Sequence, residues 1–276
     1  MISVFDSAIN IKTRNSELLV ITKNATRSPI TMNVVRIEGT MTFKDIIKFG
    51  SSVIVRNGEM IINDAIIHLK NPQLFRNYME QPRPYSLSKF RDAHKSIFSS
   101  IIKLARPGCL IWPDITTKGL LLEELNYIES KKTSDDNSFS TFLSDRFLEL
   151  CGRGPGYTPA GDDFIGGFML MFNWCSKFLK FQSLRLGQEY SKLTSWTSYK
   201  LMKYNEGFLC DEELERMINS VANGRVNEYL RNMIPISYRG HTSGIDLLTG
   251  MTCALYTIID RKFKTNLLMK FSSVLK

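Results

Sequence analysis

The chain has 276 residues, of which 43% are hydrophobic and 23% are charged. That balance is typical of folded globular proteins and excludes wholesale disorder, and the length allows one large domain or two ordinary ones. The formal net charge of +9 predicts that the surface attracts small anions. Because the basic residues are scattered and not interleaved with stacking aromatic residues, the sequence argues against nucleic acid as a partner.

The five cysteines are far apart and never occur in the CxxC spacing; they are Cys109, Cys151, Cys175, Cys210 and Cys253. An odd number at such spacing argues against a disulfide framework and against a thiolate metal site. A reducing cytoplasm is therefore the expected compartment. We expect no export signal and no membrane anchor, since the most apolar run, residues 164–172, contains two glycines and is too short to span a bilayer.

Short runs of β-branched residues dominate the first part of the chain and predict strands. Asn57-Gly58 separates two of these runs and is a strong signal for a tight hairpin. The predicted strands are residues 18–22, 30–37, 52–55, 60–62 and 65–69.

The segment 71–85 carries three prolines in polar surroundings and predicts a boundary, with a polar loop also expected at 132–138. Beyond this boundary the apolar residues recur at helical spacing. The predicted helices are residues 86–105, 118–131, 140–150, 164–181, 188–204, 211–221, 227–233 and 245–259. The sequence therefore predicts an α+β protein: a small barrel-like, β-rich domain over 1–80, then a larger all-helical domain over 86–276.

A glycine-rich stretch, GRGPGYTPAGDD over residues 152–163 and hereafter the first motif, lies between two predicted helices. Its glycines allow positive φ and unobstructed N–H groups, and Asp162 and Asp163 are suited to the start of a helix. The stretch is longer than a plain turn requires, which is typical of binding loops. A helix-to-helix turn capped by Asp162 is the alternative.

A similar stretch, YRGHTSGID over residues 238–246 and hereafter the second motif, also precedes an apolar helix. With one gap the two motifs align, and in each an aspartate precedes a glycine by four residues, which places both on one helix face. The aligned pairs are Arg153 with Arg239, Thr158 with Thr242, Gly161 with Gly244, Asp163 with Asp246, and Gly167 with Gly250. We hypothesise that the two helix starts face each other around one pocket; chance similarity is the competing explanation.

Two aspartates would repel a bound phosphate unless a cation or a neutral substrate group lay between them. Mg²⁺ would take carboxylate oxygens as ligands, whereas a substrate N–H could donate to Asp163 or Asp246 without metal. Arg153 and Arg239 would suit a substrate carboxylate or phosphate, or are ordinary surface arginines.

His241 lies inside the second motif, where it could act as a general acid, a general base or an oxyanion donor. A histidine that merely bonds the loop backbone is the alternative. Thr194, Thr197 and Ser198 form a hydroxyl cluster for which helix capping or ligand contact are both open. The sequence lacks nucleophile-elbow, Walker, HExxH and paired-cysteine signatures.

Together GPGYTPAGDDFIGGF (154–168) and GHTSGIDLLTG (240–250) resemble the AllH-like family, which is associated with the oxamate carbamoyltransferase of allantoin breakdown. Weaker agreement extends over residues 3–8, 28–33 and 194–207. Tyr157 and Ala160 depart from the family pattern, which has leucine and serine there.

The resemblance implies a cytoplasmic transferase subunit that works with other protein subunits on carbamoyl phosphate, oxamate or a related small anion. It implies catalytic or orienting roles for Asp162, Asp163, His241 and Asp246. The expected substrate-binding residues are Arg153, Gly154, Gly156, Thr158, Gly161, Arg239, Gly240, Thr242, Ser243 and Gly244. No cofactor is predicted with certainty, Mg²⁺ being the candidate, and a non-catalytic binding or scaffold subunit is the alternative function.

Overall fold

The computed structural model describes residues 3–23, 25–34, 42–69, 73–83, 85–179 and 181–276. The chain divides into two compact units. The first comprises Met1–Asn77 with Leu209–Glu212, and the second comprises Tyr78–Phe208 with Glu213–Lys276. All strands of the described residues lie in the first unit and nearly all helices in the second, which confirms the α+β class.

The first unit holds two small sheets. The four-stranded sheet has the order β1 (Ser3–Val4), β2 (Ala8–Lys12), β3 (Leu18–Thr22) and β4 (Thr31–Asn33), with β3 and β4 parallel and the other pairs antiparallel. The predicted strand 30–37 is shorter than expected, and its residues 35–37 lie outside the described residues. Strands β1 and β2 were not predicted.

The second sheet is the antiparallel meander β5 (Val53–Arg56), β6 (Glu59–Ile62) and β7 (Ala65–His68). Arg56 pairs with Glu59, so Asn57 and Gly58 form a two-residue hairpin loop. Both have positive φ, 51° and 75°, as such a loop requires, and the predicted hairpin is confirmed.

One apolar core joins the two sheets and a short helix, α1 (Phe43–Ile46). Ile9 and Ile21 from the first sheet, Phe43 from the helix, and Met60 and Ile62 from the second sheet are almost fully buried together. This burial of β-branched and aromatic side chains stabilises a unit whose strands are individually short.

The second unit is helical. Its α-helices are α2 (Ser86–Asp92), α3 (His94–Leu104), α4 (Leu120–Lys131), α5 (Asp136–Leu150), α6 (Ala160–Leu179), α7 (Trp196–Glu206), α8 (Glu212–Ala222), α9 (Val226–Ser237), α10 (Ser243–Phe263) and α11 (Leu267–Leu275). A 3-10 helix covers Gln188–Lys192.

Two helix predictions and one loop prediction were wrong in detail. The predicted helix 86–105 is interrupted at Ala93, whose φ and ψ of −87° and 6° leave the helical region. The predicted helix 188–204 is a 3-10 turn followed by α7, because the Ser195 hydroxyl accepts from the Ser198 N–H and starts a new helix. The predicted loop 132–138 ends early, because Asp135 caps α5 by accepting the N–H groups of Asn137 and Ser138.

Helix α11 was not predicted. The predicted boundary segment 71–85 includes residues 71, 72 and 84, which lie outside the described residues. No helix of the described residues is both long and apolar enough to cross a membrane.

Helices α6 and α10 form the centre of the second unit. Sixteen of the 20 residues of α6 are buried, on all sides of the helix, which is typical of a helix surrounded by others. The two helices pack along each other, and each begins within one of the two glycine-rich motifs. The fold therefore places both motifs at the start of its two central helices.

Candidate functional site

The first motif folds as an irregular loop of positive-φ glycines. Gly152, Gly154 and Gly156 have φ of 75°, 97° and 105°, a region that side chains strongly disfavour. Gly152 is also needed for packing, since a Cβ there would lie 2.2 Å from the Leu193 carbonyl oxygen. Residues 155–157 are exposed, so the loop presents part of its backbone to solvent.

Asp162 is buried beneath this loop and fastens it. Its Oδ1 accepts the Gly152 N–H at 2.7 Å, and its Oδ2 accepts the hydroxyls of Thr194 and Ser198. Two of the three hydroxyls in the predicted cluster therefore bind Asp162. The third, Thr197, lies 2.8 Å from the Tyr157 hydroxyl. The cluster ties the first motif to the start of α7.

The start of each central helix is built in the same way. The N–H groups of Gly161 and Gly244 donate to the carbonyls of Arg153 and Arg239 at 2.9 and 3.0 Å. A Cβ at Gly161 or Gly244 would lie about 2 Å from a carbonyl oxygen at the end of the preceding helix, that of Leu150 or Ile236. Both glycines are buried and serve this close packing.

The aligned glycines one turn further along make reciprocal contacts between α6 and α10. A Cβ at Gly167 would lie 2.0 Å from the Leu247 oxygen, and a Cβ at Gly250 would lie 2.0 Å from the Phe164 oxygen. Phe164 aligns with Leu247 just as Gly167 aligns with Gly250. The two helix–loop–helix segments are therefore equivalent at several aligned positions, which supports a true internal similarity over a chance one.

The two motifs meet through side chains at their helix starts. Thr158 Oγ1 lies 2.9 Å from Ser243 Oγ, and it donates to Asp163 Oδ2 at 3.0 Å. Ser243 of the second motif is thereby connected through Thr158 to Asp163 on α6. The helix starts thus face each other, as the alignment predicted.

Asp246 lies at the same meeting point and is fully buried. Its Oδ1 accepts the Leu110 N–H at 2.7 Å, and its Oδ2 has no hydrogen-bond partner among the described residues. Leu110 belongs to the loop 105–119, which also approaches both motifs. A Cβ on Gly108 of this loop would lie 3.9 Å from the Thr242 methyl group in the second motif. A Cβ on Gly154 of the first motif would lie 3.2 Å from the methyl group of Thr117 in the loop.

The two aspartates that begin the helices have raised pKa values. Burial raises the pKa of Asp246 to about 7, although the Leu110 N–H lowers it in part. Burial also raises the pKa of Asp163 well above its usual range, and the charges of Asp246 and Asp162 add to the rise against the hydroxyls of Ser243 and Thr158. The negative charge of an ionised Asp246 therefore disfavours ionisation of Asp163.

The arginines of the motifs are engaged with neighbours. Arg153 is exposed and its Nε donates to the Glu149 carbonyl at 3.3 Å, while Arg239 pairs with Glu213 of α8. His241 is exposed beside Gly240, which has φ of 57°. These three side chains line the outside of the motifs.

Several main-chain donors of the motifs are not used by the fold. Within the described part of the chain, no hydrogen bond is formed by the N–H groups of Gly154, Gly156, Thr158, Gly240 and Thr242. By contrast, the N–H groups of Gly161, Asp162 and Asp163 all donate to nearby carbonyls. An anion would therefore be met by amides of the loops more than by the first turn of α6.

A metal centre is not apparent among the described residues, where no group of three or more His, Cys, Asp or Glu side chains is placed to hold an ion. Asp163 and Asp246 alone could offer carboxylate oxygens to a cation such as Mg²⁺.

Sequence reasoning found the two motifs but missed the loop 105–119. The structure brings together Thr158, Asp163, Ser243 and Asp246, and it directs Asp162 to the opposite side, toward Thr194 and Ser198. Leu110 and Asp246 are 136 positions apart in the sequence. Local sequence patterns cannot predict such a contact.

Comparisons with known proteins agree with the motifs. Neither the curated proteins nor the solved structures contain a match to this chain. A family model described as oxamate carbamoyltransferase subunit AllH matches residues 150–255. That span contains both motifs and all of α6 and most of α10. Over this segment, which is less than half of the chain, the sequence is similar to that family, in agreement with the resemblance carried by the two motifs.

Proposed function

We propose that this chain is the subunit of a carbamoyltransferase-type enzyme that holds a small anionic substrate between the first and second motifs. The substrate class is carbamoyl phosphate, oxamate or a related small anion, and the setting is a cytoplasmic enzyme of allantoin or purine breakdown. The observation that carries the proposal is the contact between Thr158 and Ser243, which joins two glycine-rich helix starts at one place.

Carbamoyl transfer makes demands that these residues could meet. The acceptor nitrogen attacks the carbamoyl carbon, a C–N bond forms, the C–O bond to phosphate breaks, and the nitrogen gives up a proton. The unused N–H groups of Gly154, Gly156 and Gly240 would hold the leaving phosphate. The hydroxyls of Thr158 and Ser243 would orient the carbamoyl group, and Asp163 beside them would accept the proton.

The other named residues receive supporting roles. His241, exposed beside Gly240, would donate to an oxyanion from outside the loops. Arg153 and Arg239 would attract anions to the site, and Gly161 and Gly244 shape the helix starts. The family description names a subunit, so we expect further protein subunits of the same enzyme to complete the reaction.

The proposal is tested by ligand-induced stabilisation. Carbamoyl phosphate, oxamate and inorganic phosphate are each added to the chain, with and without Mg²⁺, and thermal unfolding is followed. A ligand present at about 100 times its Kd stabilises the folded state by about 2.7 kcal/mol. Thr158→Val should lose most of this response because it removes the hydroxyl that joins the motifs.

Thr141→Val is the matched control, since Thr141 lies on the exposed side of α5. It should keep the full response. The proposal is wrong if none of the three anions stabilises the chain in either condition, or if both threonine variants respond alike.

A further inference from the structure

Two carboxyl groups lie where the proposed function places an anion, and the fold supplies no cation to neutralise them. Among the described residues neither Asp163 nor Asp246 forms an ion pair; the nearby arginines of the motifs are held by the Glu149 carbonyl and by Glu213. A bound carboxylate or phosphate would be repelled by two ionised carboxylates beside it.

The two carboxyls are not equivalent. Asp163 is half-buried and its Oδ2 accepts the Thr158 hydroxyl. Asp246 is fully buried, its Oδ1 accepts the Leu110 N–H, and the nearby Thr242 hydroxyl also lowers its pKa. The second oxygen of Asp246 is buried without a partner among the described residues. A buried carboxylate oxygen that lacks a donor is costly, and a proton on that oxygen removes the cost.

We propose that Asp246 acts as a neutral carboxylic acid whose Oδ2 hydroxyl donates a hydrogen bond to a carbonyl or carboxylate oxygen of the substrate. This role rests on the proposed function and specifies which side chain of the site donates a hydrogen bond to the substrate. A proton on Asp246 removes a negative charge that would repel the anion and supplies a hydrogen-bond donor in its place.

The surroundings of Asp246 favour the neutral form. Burial raises its pKa to about 7, although the Leu110 N–H and the Thr242 hydroxyl lower it in part. Cys109, in the loop 105–119, also lies within electrostatic reach, and burial raises the pKa of its thiol, so it brings no negative charge. In the second motif His241 is exposed, and Arg239 is paired with Glu213.

Oxamate is the probe for the test because its carboxylate stays ionised throughout the useful pH range. Its affinity is measured by calorimetry between about pH 6 and about pH 9 for the wild type, Asp246→Asn and Asp246→Leu. We expect wild-type affinity to fall toward tenfold per pH unit above the pKa of Asp246, because the donor is lost. Asp246→Asn keeps an N–H donor, so it should bind more tightly than the wild type at the alkaline end and lose that fall. Asp246→Leu should bind weakly at every pH.

A carboxylate role, as a base or as a metal ligand, predicts the reverse: Asp246→Asn would lose binding at every pH while remaining folded. That result would overturn the inference. Infrared difference spectra provide a second readout that needs no ligand. Glu124 and Asp163, whose pKa values burial also raises, contribute the same carbonyl stretch in both proteins. The difference between the wild type and Asp246→Asn at about pH 6 should therefore contain one further protonated-carboxyl band in the wild type. A difference spectrum without that band would likewise contradict the assignment.

The two proposals fail in different ways. If the wild type binds no oxamate, carbamoyl phosphate or phosphate, the proposed function is wrong, and the infrared spectra still test the proton on Asp246. If the wild type binds oxamate with no pH dependence, or Asp246→Asn keeps the wild-type fall, the proposed function stands and the donor role of Asp246 is wrong.

Discussion

At the scale of single residues, small side chains allow the two central helices to touch. Gly167 and Gly250 each face a carbonyl oxygen of the other helix, at a distance where any Cβ would collide with rigid backbone. Gly167→Ala should therefore destabilise the chain by about 3 kcal/mol or more, because neither helix can move without disturbing the core. Urea unfolding measures the loss.

Gly207→Ala is the matched control for that change. Gly207 ends α7 with φ of −88°, and a Cβ there would lie 3.6 Å from the Lys203 oxygen, an ordinary contact. The control should change the free energy of unfolding by about 0.5 kcal/mol at most. Equal losses for the two glycine variants would contradict the close approach of α6 and α10.

Asp162 provides the second residue-scale prediction. Its carboxylate accepts three donors, so Asp162→Asn places an N–H₂ group against at least one of them and should cost about 2 kcal/mol. Asp145→Asn, on the exposed side of α5, should be nearly neutral. Asp162→Asn should also weaken anion binding, since the first motif loses its attachment to α7. Unchanged stability would show that Asp162 does not fasten the loop.

At the scale of elements, the two motifs should be energetically coupled through their hydroxyls. Thr158→Val and Ser243→Ala each remove one end of the 2.9 Å contact. A double-mutant cycle on the free energy of unfolding should give a coupling of about 1 kcal/mol. Coupling within error of zero would mean that the two hydroxyls do not bond in solution.

The sequence predicted those elements whose signals are local. Asn57-Gly58 specified a hairpin, and the paired spacing of Asp163 with Gly167 and Asp246 with Gly250 predicted helix starts that face each other. The interruption at Ala93 and the separate start of α7 were missed because apolar periodicity continues across both breaks.

Long-range pairings could not be predicted from the sequence. Leu110 reaches Asp246 across 136 positions, and Thr194 and Ser198 reach Asp162 across more than thirty. The sequence therefore indicated Asp162 and Asp163 together as candidate site residues, whereas the fold points them to different neighbours.

At the scale of the whole molecule, buried carboxyls should give an unusual dependence of stability on pH. Burial raises the pKa of Asp246 and of Glu124 to about 7, the latter against the neighbouring Arg146. For such groups the stabilising protonation is complete below the unfolded-state pKa, near 4, and is lost as pH rises toward 7. The free energy of unfolding should therefore decrease from about pH 5 to about pH 8.

The double variant Asp246→Asn, Glu124→Gln should reduce that decrease, and Asp163, whose pKa burial also raises, should account for the remainder. Hydrogen bonds lower the pKa values of three exposed carboxyls, Asp45, Asp114 and Asp135. Their contribution to stability is lost only at lower pH, so it does not change the slope between about pH 5 and about pH 8. Stability that rises steadily over the same interval in the wild type would contradict the raised pKa values. Urea unfolding at the two pH values is the measurement.

The central claim is that the first and second motifs form one binding site for one small anion. A crystal structure of the full chain with carbamoyl phosphate, at a concentration that raises its thermal stability, tests this most directly. The account predicts the phosphate oxygens within hydrogen-bond distance of N–H groups from both motifs, with the carbamoyl group beside Thr158 and Ser243. Density for the ligand at any other place, with the two motifs empty, would contradict it.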